Sequence, residues 1–76
     1  MRELLECIAR ELVEDRDAVS VEETRDDRGL VLTLKVAPDD MGKVIGRGGR
    51  TARAIRSVVR AAAARQDLLV RIDIAD

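Results

Sequence analysis

The chain has 76 residues, which is enough for one small domain (residues 1–76) and leaves no room for a second core. It contains no His and a single Cys, which excludes His-based acid–base catalysis, an internal disulfide and a zinc site with Cys and His ligands. It also contains no Phe, Trp or Tyr, which argues against modules that stack bases on aromatic rings. We therefore expect a protein that is not an enzyme and needs no metal or cofactor.

The formal net charge of −1 conceals a segregation of charge along the chain. Residues 1–40 carry six basic and twelve acidic residues, whereas residues 41–66 carry seven basic residues and no acidic one. A local potential depends on where the charges lie rather than on their total. One patch of the surface should therefore be strongly positive and attract a polyanion.

The first half of the chain predicts a helix followed by two strands. Apolar residues at helical spacing predict an amphipathic helix over about residues 2–14. Val19 and Val21 alternate with polar residues, which indicates a short strand. The polar stretch 24–29 then predicts a hairpin loop, and the alternation over residues 30–36 predicts a second, longer strand.

The second half of the chain predicts two helices and a final strand. Pro38 sets the start of a short helix that ends at Ile45, and Asp39 or Asp40 is expected to cap it. A longer helix follows over about residues 50–65, and a strand with alternating apolar residues comes after it. The predicted order is α-β-β-α-α-β. The predicted core is Leu4, Leu5, Ile8, Leu12, Val19, Val21, Leu30, Leu32, Leu34, Val36, Val58, Val59, Leu68, Val70, Ile72 and Ile74.

A glycine-rich loop lies between the two helices of the second half. Its residues are Gly46, Arg47, Gly48 and Gly49, and glycine there allows positive φ and a close approach of the backbone to a ligand. The following helix directs its N-terminal N–H groups and its positive dipole end at the same place. The spacing fits neither a Walker loop nor a dinucleotide fingerprint. A nucleic-acid backbone, held by a GXXG turn, is the phosphate ligand that remains.

The loop and its flanks resemble a known family. Residues 44–50, Val-Ile-Gly-Arg-Gly-Gly-Arg, resemble the I-G-x-x-G signature of the KH domain. The run from Val36 to Gly46, followed by Arg50 and residues 52–56, resembles the KhpA family of small bacterial single-KH proteins. The resemblance implies an α+β fold, a type II KH domain whose three-stranded sheet packs against helices. It also implies a non-catalytic protein that binds single-stranded RNA, as an RNA chaperone or a post-transcriptional regulator.

The resemblance also suggests which residues contact RNA. The loop N–H groups would position phosphates, and nearby basic side chains would supply charge. Bases would lie in an apolar groove that involves Val44, Ile45 and Ile55. Arg56 and Arg60 would extend the positive field along the helix. Gly48 stands where a polar or basic residue is commoner, which leaves Arg47 as the one loop side chain able to reach a phosphate. The expected RNA-binding residues are Lys43, Val44, Ile45, Gly46, Arg47, Gly48, Gly49, Arg50 and Arg53.

The sequence and the family resemblance also indicate where the protein acts and what it associates with. The N-terminal sequence lacks a signal-peptide pattern, no apolar run is long enough for a membrane span, and one unpaired Cys suits the reducing cytoplasm. KhpA-like proteins are associated with a KH protein of the KhpB (Jag) type, so we expect a homodimer or such a heterodimer. The candidate interface is an arc of small residues on the long helix, expected between the arginines and the core face: Ala54, Ser57, Ala61 and Ala64.

Two other functions remain open at this point. The chain could be a protein-interaction subunit with weak or no RNA binding, its acidic residues 1–40 facing a basic partner. It could also bind single-stranded DNA, because nothing in the sequence senses a 2′-hydroxyl. RNA binding is favoured because seven basic residues without an acidic one surround the glycine turn.

Overall fold

The order of helices and strands is the predicted one. The computed structural model describes residues 1–75, so Asp76, the last residue of the predicted domain 1–76, lies outside the described residues. Short 3₁₀ turns precede β1, α2 and α3. This order confirms the expected α+β fold of the type II KH arrangement. The elements are α1 (Arg2–Leu12), β1 (Ser20–Asp26), β2 (Gly29–Lys35), α2 (Met41–Ile45), α3 (Arg50–Ala64) and β3 (Val70–Ala75).

The three strands form one mixed sheet with β2 in the middle. β1 pairs with β2 antiparallel, and Val21 lies opposite Leu34. β3 pairs with β2 in parallel, and Ile72 lies beside Leu32. A parallel pair needs a crossover connection, which α2, the glycine loop and α3 supply here. The loop is thereby fixed between two helices that are both anchored to the sheet.

The hydrophobic core lies between the sheet and the helices. Leu32 and Leu34 of β2 are fully buried, as are Leu5 of α1 and Val59 of α3. Two residues of the predicted core are instead exposed, Leu12 to 37% and Val58 to 52%. None of the helices within residues 1–75 has the length and apolarity needed to span a membrane.

The orientation of α3 explains why Val58 is exposed. The residues that α3 buries are Ala52, Ile55, Val59 and Ala63, a stripe at i, i+3 and i+4 spacing. A helix advances 100° per residue, so this stripe turns Val58 toward solvent. All four residues of the small-residue arc are exposed too. The arc therefore lies opposite the core, and its predicted position between the arginines and the core face is wrong.

The hairpin between β1 and β2 is tighter than predicted. The polar stretch Thr24–Asp26 continues β1, because Thr24 pairs with Val31 and Asp26 pairs with Gly29 across the ladder. The turn itself holds Asp27 and Arg28, and the Asp26 carboxylate accepts the N–H of Arg28 at 2.8 Å. Backbone pairing with β2 thus extends the strand through residues whose side chains are polar.

Asp40 does not cap α2 as predicted. Its side chain makes no capping hydrogen bond and is almost fully buried. One carboxylate oxygen accepts the N–H of Asp15 at 3.0 Å, and the other accepts the N–H of Glu14 at 3.3 Å. Lys43 also donates to this carboxylate, at 3.3 Å. Backbone N–H groups outside helices and strands need other acceptors, and Asp40 provides them for two residues beyond the end of α1. Asp40 therefore ties the end of α1 to the start of α2.

We predict that Asp40→Asn lowers the melting temperature at neutral pH by several degrees. An amide offers one acceptor oxygen and no charge, so an N–H group and Lys43 lose their partner. The hydrogen bond from Asp15 holds the pKa of Asp40 below its ordinary value of 3.8, with smaller contributions from Glu14 and Lys43. The stabilisation is thus complete above pH 3.8 and is lost as the pH falls through the folded-state pKa.

Thermal unfolding followed by circular dichroism between pH 7 and pH 3 measures this effect. The difference in melting temperature between wild type and Asp40→Asn should become smaller toward the acidic end of this pH range. The matched control is Asp39→Asn, since Asp39 is the exposed neighbour. Equal melting temperatures for wild type and Asp40→Asn at neutral pH would contradict the role assigned to Asp40.

Candidate nucleic-acid interface

The glycine loop has a backbone that few other residues can adopt. Gly46 has φ 76° and ψ 169°, a region occupied almost solely by glycine. A Cβ at Gly46 would also collide with the side chain of Thr51. Gly48 and Gly49 have φ 64° and 77°, in the left-handed region. The loop is therefore a tight 3₁₀ turn (Arg47–Gly49) that lets α2 run almost directly into α3.

The hydrogen bonds of this turn decide which N–H groups face outward. Gly46 donates its N–H to the carbonyl of Gly42 at 2.9 Å, and Gly49 donates to that of Gly46 at 3.1 Å. Arg50 donates its N–H to the carbonyl of Arg47. Of the four N–H groups expected to position phosphates, those of Gly46 and Gly49 are thus already hydrogen-bonded within the turn. Among residues 1–75, the N–H groups of Arg47 and Gly48 have no acceptor.

Arginine side chains surround this turn. Arg47 and Arg50 are exposed, and among residues 1–75 neither forms a salt bridge. Arg53 is exposed as well, and its guanidinium donates to the carbonyl of Gly48 at 2.9 Å. That bond occupies one acceptor of the loop and holds a positive charge against it. The outer surface of the turn thus combines two N–H donors with three guanidinium groups.

Lys43 is expected to contact RNA, but in the structure it pairs with two acidic side chains. Its ammonium pairs with the carboxylate of Glu14 at 3.0 Å and with that of Asp40 at 3.3 Å. The hydrogen bond to Glu14 is the main reason that the pKa of Lys43 is raised above its ordinary value of 10.5. Two carboxylates thus balance this charge within the protein. Lys43 belongs to the Asp40 network rather than to the open surface of the loop.

The apolar groove predicted beside the loop has less exposed apolar surface than expected. Val44 is fully buried and Ile55 is 3% exposed, so both side chains belong to the core. The five-residue helix α2 turns Val44 inward, and α3 turns Ile55 inward within its buried stripe. Of the three residues predicted to line the groove, Ile45 keeps appreciable exposed surface. Among these three residues, Ile45 therefore provides the apolar surface next to the loop.

A row of arginines leads away from the loop along α3. We call Arg53, Arg56 and Arg60 the arginine row, because their spacing places them on one side of the helix. Arg56 donates from Nε to the carbonyl of Ile72 at 3.2 Å, so the row runs beside β3. The helical spacing of the arginines is visible in the sequence. The position of β3 beside these arginines cannot be predicted from the sequence, because only the tertiary fold brings this strand next to α3.

No candidate metal site accompanies these features. Within residues 1–75, no group of three or more His, Cys, Asp or Glu residues is placed to hold a metal ion. The chemistry available at the loop is therefore that of N–H donors, guanidinium groups and one helix N-terminus. These groups bind and orient anions.

We predict opposite effects of alanine at two neighbouring glycines. Gly46→Ala should destabilise the fold by about 1–3 kcal/mol, because the backbone at this position is strained for any residue with a Cβ. Gly42→Ala should stabilise it by about 0.5–1 kcal/mol, since Gly42 lies within α2 and a Cβ there meets no atom within 4 Å. Urea denaturation measures both changes. A fully stable Gly46→Ala variant would show that the loop does not need this backbone.

Comparisons with known proteins agree with these features. The family model described as the KH domain of KhpA/KhpB matches residues 2–74. The chain is 55% identical to RNA-binding protein KhpA of Halalkalibacterium halodurans over 76 residues, the whole of both chains. It is 50% identical to RNA-binding protein KhpA of Clostridium acetobutylicum over 74 residues, covering 97% of this chain and 99% of that protein. No solved structure gives a significant match. The chain therefore belongs to the KhpA/KhpB family of KH domains.

Proposed function

We propose that this protein binds single-stranded RNA at the glycine loop and carries out no reaction on it. The observation that carries the proposal is the outer surface of the turn. It presents two unused N–H groups and the exposed Arg47 and Arg50, which form no salt bridge among residues 1–75. A sugar-phosphate backbone is the ligand that matches this set. The curated relatives are named RNA-binding proteins, which supports RNA in preference to DNA.

The loop would hold RNA as a small electrostatic clamp. Phosphate oxygens accept from the N–H groups of Arg47 and Gly48, at the positive end of the α3 dipole. The guanidinium groups of Arg47, Arg50 and Arg53 add charge, and Ile45 contacts a base. Since Lys43 is paired with acids, three cations remain, and the single-strand salt slope should be near −2. Such a clamp binds weakly and responds strongly to salt.

Weak binding of about four nucleotides suits a protein that handles many RNAs. We propose that the chain acts in the cytoplasm as an RNA chaperone or post-transcriptional regulator. The unpaired Cys7 is exposed, which fits a reducing compartment. A clamp of this size gains affinity when two copies act on one strand, because the second contact becomes intramolecular.

We also propose that the exposed side of α3 is where the protein pairs with a second KH domain. Val58 is 52% exposed and contributes apolar surface to this side of the helix. Ala54, Ser57, Ala61 and Ala64 beside it are small and exposed, so another helix could approach closely. The partner is a second copy or a protein of the KhpB type, which the same family model covers.

We predict that the double variant Arg47→Asp/Gly48→Asp loses RNA binding and keeps its fold. Two carboxylates would then stand where phosphates lie. Gly48 has open space around its missing Cβ, and Asp tolerates the left-handed backbone there better than most residues. Fluorescence anisotropy with a labelled random-sequence RNA, between about 50 and 200 mM salt, measures the affinity. We expect a loss of at least about tenfold, the effect of removing two phosphate contacts.

A control with the same change of charge is Arg16→Asp/Ser20→Asp, because both residues are exposed and far from the loop in the chain. It should bind RNA nearly as well as wild type. Circular dichroism confirms that each variant is folded. Equal binding by wild type and the loop variant, or binding by neither, would reject the clamp. The protein-interaction role of the acidic first half would then be the function to pursue.

We predict that Ala61→Glu prevents self-association. A carboxylate in the centre of a close helix contact would be buried without a partner. Light scattering should show a monomer at a concentration where the wild type is a dimer. Thr24→Glu, on the exposed strand β1, is the control and should leave the mass unchanged. A dimeric Ala61→Glu variant would exclude this side of α3 as the interface.

A further inference from the structure

A cleft lies at the opposite end of α3 from the glycine loop. Its volume is about 360 Å³, and it opens between the end of α3, the start of β3 and the β1–β2 turn. Apolar side chains line it, among them Ala64, Leu68 and Val70. Leu69 stands at this cleft with 73% of its surface exposed, more than any other large apolar residue among residues 1–75. Leu69 and the apolar lining of the cleft together form a contiguous exposed apolar patch, which is the kind of surface that binds ligands.

The charge around this cleft is positive. Arg28, Arg60 and Arg71 line it, and Asp26 is the one acid among the lining residues. An oxygen of Asp26 already accepts the N–H groups of Arg28 and Gly29 within the turn. Arg28 and Arg60 form no salt bridge among residues 1–75, and Arg71 meets Asp73 at 3.8 Å. Three guanidinium groups around an apolar hollow suit a ligand with both an anion and a flat apolar surface.

The arginine row connects this cleft with the glycine loop. Arg53 touches the loop at Gly48, Arg56 reaches β3 at Ile72, and Arg60 lines the cleft. Arg50 and Arg60 are ten residues apart, so the cleft begins about 15 Å along α3 from the loop. Even at a compact spacing of about 3.4 Å between phosphates, a strand of about six nucleotides covers that distance. One RNA strand can therefore lie along the row and reach both places.

We propose that the cleft binds a further nucleotide of the same RNA strand, beyond those held by the glycine loop. The proposal rests on the RNA-binding function proposed above. The phosphate would pair with Arg28 or Arg60, and the base would lie against Leu69. Guanidinium planes and aliphatic side chains take the place of the aromatic platforms that this chain lacks. The protein thus reads a longer stretch of RNA than the loop alone can hold.

The test compares a short and a long labelled RNA, of about four and about twelve nucleotides, by anisotropy. The cleft variant is Arg28→Ala/Leu69→Ala, and both residues are exposed, so the fold should be kept. It should bind the long RNA about fivefold to tenfold more weakly than wild type and the short RNA equally well. The control with the same residue types is Arg16→Ala/Leu12→Ala. The amide signals of Gly29 and Leu69 in NMR spectra should shift with the long RNA only.

The outcomes separate this proposal from the clamp. If wild type binds neither RNA, the proposed function fails and this proposal fails with it. If wild type binds both RNAs and the cleft variant binds the long one equally well, the cleft proposal alone is overturned. A changed molar mass of the cleft variant in light scattering, with RNA affinity unchanged, would assign the cleft to a protein partner and also overturn it.

Discussion

The position of the glycine loop depends on the hydrogen bonds that the buried carboxylate of Asp40 accepts. This carboxylate accepts hydrogen bonds from two N–H groups of the segment that follows α1 and from the ammonium of Lys43 in α2. A buried charge is tolerated only when it is paired and hydrogen-bonded, and Asp40 has three such partners. Because the contacts reach across 25 and 26 residues, they join the first helix to the crossover that carries the loop. The loop is thereby placed by packing and polar contacts together.

This network also determines which cations are available to a ligand. Lys43 lies close to the loop in sequence, but Glu14 and Asp40 balance its charge. Arg47 and Arg50, by contrast, form no salt bridge among residues 1–75. A weakly acidic protein can therefore carry a positive surface, because unpaired charges rather than the total set the local field.

Helix α3 has three sides with different surroundings. One side is buried against the sheet, a second carries the arginine row beside β3, and the third exposes small residues and Val58. The division follows from helical geometry, since residues three or four apart share a side. Binding to RNA and pairing with another KH domain thus use different sides of one helix and meet at Ala64, which belongs to the small-residue arc and also lines the cleft.

Much of the fold follows from the sequence, because its signals are local. Alternating apolar residues predict the strands, helical spacing predicts α1 and α3, and three clustered glycines predict the turn. The KH signature in residues 44–50 added the topology and the family, which the comparisons confirm. What the sequence could not show is how far each helix is rotated about its axis and which residues from distant segments meet. The rotation of each helix and the contacts between distant segments are set by the packing of the whole core.

The largest differences between prediction and structure come from that packing. Val44 and Ile55, expected to face bases, are buried because α2 and α3 turn them toward the sheet, and Val58 is exposed for the same reason. Lys43 is paired because the fold brings Glu14 to it from 29 residues away. The sequence by itself thus determined the elements, the glycine turn and the segregation of charge. Only the tertiary structure decided which cations and apolar side chains are open to a ligand, because burial and ion pairing depend on contacts between distant residues.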